Sequence, residues 1–533
     1  MNSPDQRPPR SFTTTCFSTA LHLAKPTAAP IPTCQPVELP PTNTTSVTSN
    51  IPLSAAMTAS KTWPIRSAGP HRPGLPLSTS LLRIVPGCPR NGEPPVHWFN
   101  NPPPSPPYTL DAAYDNASAS IVLPDPTLNP IADQWFDFDA HLSHPTAFIS
   151  FTLTAGSNRY TTHFLFNQFS TRHGVLTAAL LDVHNVPVAR LTIDFIYITA
   201  YSSSQLSSFK RPFIPRFIGH RGMGSSGPNA PWRPRENSVE SFLAATLLNP
   251  AVTTIELDVQ LTRDGKVVVF HDWFFRPLDS DGHPLHDKES IRIAVHNLTY
   301  HQLNALYQNS HPVSASLTQQ QTDVRRIAQE RNIDPKAFAV KVFTLAEVCS
   351  LLPPDIGILL EIKYPAPDVQ EELGIPYPEK NHYVDLVLAD LLQSNTGHSD
   401  MERQIAFLSF HPDICMLLSM KQHRFPVYFS HCETLDKPCD EFDPRAIDLR
   451  EGLRFVKSQG LDGLMIFNEL IEHRPEAVAD IVAQDVPIIT YGKSNKYSTV
   501  VMKQFEKGIH GVIADDVDVL MDEMQALTCQ QKD

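Results

Sequence analysis

The chain contains no Cys-x-x-Cys pair, no apolar run approaching the roughly 18 residues of a membrane helix, and no compact basic-then-apolar leader. Each absence removes a class of protein. Without paired spacing, the eight cysteines (Cys16, Cys34, Cys88, Cys349, Cys415, Cys432, Cys439 and Cys529) read as reduced thiols in preference to a disulfide framework. Without a membrane span or a leader, the chain reads as cytoplasmic. Basic residues are in deficit too, with 43 Lys and Arg against 56 Asp and Glu and a net charge of −13. That balance argues against nucleic acid or an anionic membrane surface as the main partner. It leaves room for an anionic small substrate, because a bound metal and a few Arg or Lys set the local field. The sequence names no protein partner.

What is present divides the 533 residues into unlike regions. Residues 1–85 are dense in Pro, Ser and Thr without apolar periodicity, and read as a disordered tail, with a transit peptide as the lesser alternative. Residues 86–202 carry short β-prone runs separated by turns, the clearest near 118–123, 147–153, 160–166, 174–181 and 188–197. That spacing predicts a small antiparallel sandwich. Residues 203–216 read as a linker. From 217 to 527 the pattern becomes apolar strand, then helix, repeated, which predicts an α/β fold with a parallel sheet covered on its outer face. A closed TIM-type barrel is the first choice. Nine strand candidates compete for eight places, and the link from Asp258 to Val267 is too short for a crossover helix. An extended link of that length still allows a parallel third strand.

The barrel region holds the chemistry. On a strand, successive side chains alternate faces, so Glu256 and Asp258 in Ile255-Glu256-Leu257-Asp258-Val259 share one face. Two adjacent carboxylates repel unless a positive charge sits between them. His220 and Arg221 end the first candidate strand, His271 closes the third, and Glu361 and Lys363 end a fourth. In a parallel barrel these positions converge on the C-terminal mouth. Glu256, Asp258 and Glu361 then supply three carboxylates for one divalent cation, Mg²⁺ or Ca²⁺. Arg221 can fork to phosphoryl oxygens and Lys363 adds a point charge. Of His220 and His271, one removes a proton from the attacking oxygen and the other protonates the leaving alcohol, in either assignment. Singly, each residue has a plainer reading: a structural His, a solvated Glu-x-Asp edge, a Lys363–Glu361 pair. Their combination at several strand ends favours a site for phosphate-ester cleavage. His296, His301 and His382 read as surface residues. His411 is a lesser candidate for the pocket, and Arg263-Asp264-Gly265 reads as a turn.

In order and spacing, His220-Arg221-Gly222, Glu236-Asn237-Ser238, Glu256-Leu-Asp258, Asp264-Gly-Lys-Val-Val-Val-Phe-His271-Asp272 and Leu360-Glu361-Ile-Lys363 resemble the glycerophosphodiester phosphodiesterase (GDPD) family over about residues 217–520. Within it, stretches 408–421, 443–448 and 490–495 are similar to the fungal glycerophosphocholine phosphodiesterases that combine SPX, ankyrin and GDPD parts. The β-rich region likewise resembles their C2-like segment. The resemblance implies hydrolysis of a small glycerophosphodiester, glycerophosphocholine first, to sn-glycerol 3-phosphate and the free alcohol. It implies His220 and His271 as the acid–base pair, Arg221 on phosphate, one divalent cation on Glu256, Asp258 and Glu361, and Glu236 in support. The plainer role of Glu236 is an acidic residue opening the next helix. The chain departs from the family at Arg235, where Pro is usual, and at Ser238, where Thr is usual. SPX and ankyrin regions have no counterpart, so a shortened form is one reading, which the sequence leaves open. Two further readings stand beside hydrolysis of small diesters. One is lysophospholipase D-like action, with Phe274 and Phe275 lining an acyl groove; the other is a silent binding or regulatory barrel.

Overall fold

The computed structural model describes residues 65–68, 80–99, 103–114, 117–123, 134–139, 148–169, 171–201, 203, 213–225, 233–277, 291–311, 317–374, 376–394, 403–432 and 443–530. Most of the Ser/Thr/Pro-rich tail and most of the linker lie outside them.

Near-continuous apolar segments with few polar interruptions form a closed parallel barrel. Its eight strands are Phe217–Gly219, Thr254–Leu261, Gly357–Ile362, Ile405–Ser409, Val427–Ser430, Gly463–Phe467, Ile488–Tyr491 and Gly511–Ala514, and the first pairs with both the second and the last. Burial on both faces explains why most of these strands lack polar alternation; Thr254–Leu261, in which Glu256 and Asp258 alternate with Ile255, Leu257 and Val259, is the exception. One face packs against the surrounding helices. The other fills the lumen with Ile218, Leu359, Leu408, Tyr428, Met465, Ile489 and Ile513. Phe213 joins the lumen cluster beside the strand starts: the Tyr428 hydroxyl donates to its carbonyl at 2.8 Å. Its ring also lies where a Cβ on Gly357 would come within 2.7 Å, which explains glycine there. The end of the segment expected to be a linker is therefore part of the barrel floor.

The ninth strand candidate corrects the expected topology. Val267–Val269 runs antiparallel to Val259–Leu261 and is not a parallel barrel strand. Residues Thr254 to Val259 pair with the next barrel strand, whereas Gln260 and Leu261 project beyond that pairing. A tight turn through Gly265, at φ +71°, then reverses the chain, as the Asp264-Gly265 pair predicts. The Phe270 amide donates to the Asp258 carbonyl at 3.0 Å, so His271 returns to the mouth without a crossover helix.

The antiparallel region follows the expected strands, observed at Ala117–Leu123, Phe148–Ala155, Asn158–Leu165, His173–Leu181 and Pro187–Ile198, in one hydrogen-bonded network of ten. Alternate residues such as Leu110, Ile149, Phe151, Leu153 and Phe164 build its core. It begins before the expected boundary at 86, because Leu81–Pro86 pairs with Pro187–Ile198 and Trp135–Asp139. Leu81, Ile196 and Ile198 join the core of the barrel's helical layer. Across that junction the Lys421 ammonium donates to the Thr199 carbonyl at 2.7 Å, and the Asn381 amide to the Tyr197 carbonyl at 2.8 Å.

Two smaller expectations also change. His296 is buried against the Tyr377 ring, 4.9 Å between centroids, whereas His301 and His382 are exposed. Cys88, Cys349 and Cys415 are free and buried, but Cys432 is disulfide-bonded. Among the described residues, no helix is long and apolar enough to cross a membrane.

Candidate active site

Moving two residues beyond the apolar lumen layer, toward the C-terminal mouth, changes the chemistry of the ring. Ile218 is followed by His220, Leu359 by Glu361 and Ile513 by Asp515, and Glu256 and Asp258 face the same space. Register places Asp258 beside Glu361, and Glu256 beside Leu359. All three carboxylates are buried, and one oxygen from each lies within 4.8 Å of the others, a grouping able to hold a cation. Oε1 of Glu256 is buried without a hydrogen-bond partner, which is costly unless a ligand satisfies it. Burial, then the charges of Asp258 and Glu361, push the Glu256 carboxyl well above its ordinary range. Burial opposes ionisation of Asp258 as well, but His271, Lys363, Arg221 and the Asn237 amide together hold it below the aspartate range. Such an environment suits oxygen-ligated divalent cations.

The cationic groups are fixed around this cluster. Arg221 adopts the left-handed region at φ +48°, uncommon for a residue with a side chain. That conformation lets its amide donate to Glu256 Oε2 at 3.0 Å while its guanidinium reaches Glu236 at 3.1 Å and lies 3.5 Å from Asp258. Glu236 therefore pairs with Arg221, whereas Ser238 caps the helix Val239–Leu247. Lys363 lies 3.2 Å from Glu361 and 3.7 Å from Asp258, with Trp273 under its ammonium.

Both histidines have one ring nitrogen anchored. His220 Nδ1 is 2.5 Å from Asp515, and its Nε2 turns toward Glu256 at 4.0 Å. His271 Nδ1 lies 2.8 Å from Asp272. A carboxylate behind an imidazole fixes its tautomer and orientation. His271, Arg221, Glu236 and Asn237 line a cavity of about 390 Å³ together with Phe274, Phe275, Arg235 and Arg276.

The expected residues thus converge, and the structure adds two groups that sequence reasoning gave no role. Asp515 follows the last strand directly; an acidic pair closing a final barrel strand was the available signal. Asn237 donates to Asp258 at 2.9 Å from a left-handed backbone, φ +56°. His411 does not line the cavity: it caps the helix Pro412–Lys421 and packs on Tyr364.

The fold and mouth define a parallel-barrel protein with a buried cluster of three carboxylates, an anchored arginine and two carboxylate-backed histidines. The chain belongs to the glycerophosphoryl diester phosphodiesterase family, whose model matches residues 220–519, more than half its length. A glycerophosphocholine phosphodiesterase of Eremothecium gossypii is 28% identical over 380 residues, which cover 61% of this chain and 28% of that protein. One from Candida albicans is 30% identical over 344 residues, covering 58% and 28%. The human glycerophosphocholine phosphodiesterase is 27% identical over 370 residues, covering 64% and 51%. This chain therefore spans between 28% and 51% of the length of these curated relatives.

Proposed function

We propose that the chain is a metal-dependent phosphodiesterase that hydrolyses glycerophosphodiesters, with glycerophosphocholine as its substrate, to sn-glycerol 3-phosphate and the free alcohol. The observation that carries this reading is the partnerless Glu256 Oε1 within a buried triad of carboxylates. Glu256, Asp258 and Glu361 would hold one divalent cation, which when bound polarises the phosphoryl oxygen and offsets its charge. Arg221, anchored by Glu236 and Glu256, presents its guanidinium to the phosphate. Of His220 and His271, one accepts the proton of the attacking oxygen and the other returns a proton to the leaving alcohol. Asp515 and Asp272 hold the two rings for these transfers. The relatives' names support choline as the alcohol.

The test is hydrolysis of glycerophosphocholine by the purified full chain with added Mg²⁺ or Ca²⁺, followed by release of glycerol 3-phosphate. Turnover is expected to vanish on chelation, to return with the cation, and to be lost in His271→Ala. Full activity after exhaustive chelation would overturn the metal assignment. Full activity of His271→Ala would overturn the histidine roles.

A further inference from the structure

The ring of residues around the mouth is divided by chemistry, and the division carries an assignment beyond the reaction itself. Following strand order, the layer above the lumen core reads His220, Glu256 with Asp258, Glu361, Phe410, Ser430, Phe467, Tyr491 and Asp515. One arc is ionised. On the other, four consecutive strands present Phe410, Ser430, Phe467 and Tyr491, with no cation among them.

The three rings form one cluster. Phe467 and Tyr491 are register partners with centroids 5.6 Å apart, and Phe410 meets Tyr491 edge to face at 5.9 Å. Phe410 meets Tyr491 although two strands lie between theirs, of which the first contributes only the small, fully buried Ser430 and the second contributes Phe467. All three rings are partly exposed. Tyr491 is held in place by its hydroxyl, which donates to the His431 carbonyl at 3.0 Å. After burial, the charge of Glu361 is the other influence raising the Tyr491 phenol, so the aromatic arc lies within the electrostatic reach of the cation site.

Aromatic faces attract cations through the ring quadrupole, best where the cation is weakly hydrated and gives up little on leaving water. The opposite wall has the reverse character. Around His271 the cavity carries Arg235 and Arg276, neither with an ion-pair partner among the described residues, in addition to Arg221. Arg235 stands where the family usually has Pro.

We propose that Phe410, Phe467 and Tyr491 form the subsite for the alcohol end of the substrate, and that the subsite takes a quaternary ammonium group. The inference rests on the phosphodiesterase reading and adds orientation and selectivity to it. A zwitterionic diester lies across the mouth with its methylated cation over the rings and its glycerol toward Arg235 and Arg276. An acyl chain fits this arc poorly, because Phe410 and Tyr491 touch and do not line an open channel.

Kinetics on two substrates test this in the full chain with added cation. Wild-type kcat/KM for glycerophosphocholine is expected to exceed that for glycerophosphoglycerol about tenfold or more. The changes Phe410→Leu and Phe467→Leu, which keep the positions apolar but remove the ring, are expected to reduce that ratio about tenfold, the scale of one partly desolvated cation–π contact. Phe467→Tyr is expected to restore it. Choline chloride alone should bind the wild type more tightly than the Leu variants in calorimetry. Hydrolysis of both diesters with an unchanged ratio in the Leu variants would overturn the subsite and leave the phosphodiesterase reading standing. A wild type that cleaves no glycerophosphodiester would overturn that reading, and choline binding by such a protein, weakened in the Leu variants, would still support the subsite.

Discussion

Glu256 shows most directly how a single residue is strained toward a ligand. Its carboxylate is buried beside Asp258 and Glu361, with one oxygen unpaired. Without a cation, ionising it costs stability, so Glu256→Gln should raise the cation-free unfolding free energy by about 1 kcal/mol or more, read from denaturation curves. The same change should erase both turnover and the thermal shift that Mg²⁺ or Ca²⁺ produces in the wild type. A variant that keeps the cation-induced shift would contradict the ligand role. In the proposed mechanism Asp515 acts through His220, whose Nδ1 it contacts. Replacing it with Asn keeps the shape but removes the charge that fixes the ring, so Asp515→Asn should lower kcat by about 10²-fold or more with little change in melting temperature. Activity within twofold of wild type would remove Asp515 from the catalytic arrangement.

At the scale of elements, the site depends on chain reversals as much as on strands. Gly224, at φ +88°, follows the His220-Arg221-Gly222 turn, and a Cβ there would lie 2.0 Å from the Asp515 carbonyl oxygen. No side chain at this position could leave Asp515 where it is. Gly224→Ala is therefore expected to cost about 1–3 kcal/mol in stability and to lower kcat more than tenfold, as Asp515 moves away from His220. Denaturation curves and kinetics on the same preparation check both halves. The hairpin at Gly265 teaches a related lesson. The Asp-Gly turn was legible, but a parallel third strand was expected because a link of that length permits either direction. Hydrogen bonding along the overhanging end of Thr254–Leu261 decides for reversal, since those amides would otherwise lack partners.

At the scale of the whole molecule, burial sets the response to pH. His311 and His431 are held down to about 4, mainly by burial, and His411 falls well below its ordinary value through burial and the nearby Lys380 charge. In the unfolded chain these imidazoles titrate near ~6.5. The unfolded state therefore binds protons first on acidification, and stability present above about pH 6.5 is lost as pH falls toward about 4. His431, almost wholly buried, accounts for on the order of 2–3 kcal/mol over that window. Urea midpoints measured from pH 7 to pH 4.5 should fall steadily, and a flat profile would contradict the buried neutral rings. Glu256 contributes with the opposite sign in the cation-free protein. Its raised pKa means that stability is lost as pH rises through that value, so added cation should stabilise more at pH 8 than at pH 5.

The sequence by itself determined the alternation of apolar strands with helices, and so the barrel. It also determined the clustering of His220, Arg221, Glu256, Asp258, His271, Glu361 and Lys363, because strand ends in a parallel barrel converge wherever they occur in the chain. The burial of His296, the seating of Phe213 in the floor, the support of His220 by Asp515 and the aromatic arc of Phe410, Phe467 and Tyr491 belong to the tertiary structure alone. Each is a meeting of residues far apart in sequence. Local pattern records which face of an element is apolar, but not which distant side chain will be packed or hydrogen-bonded against it.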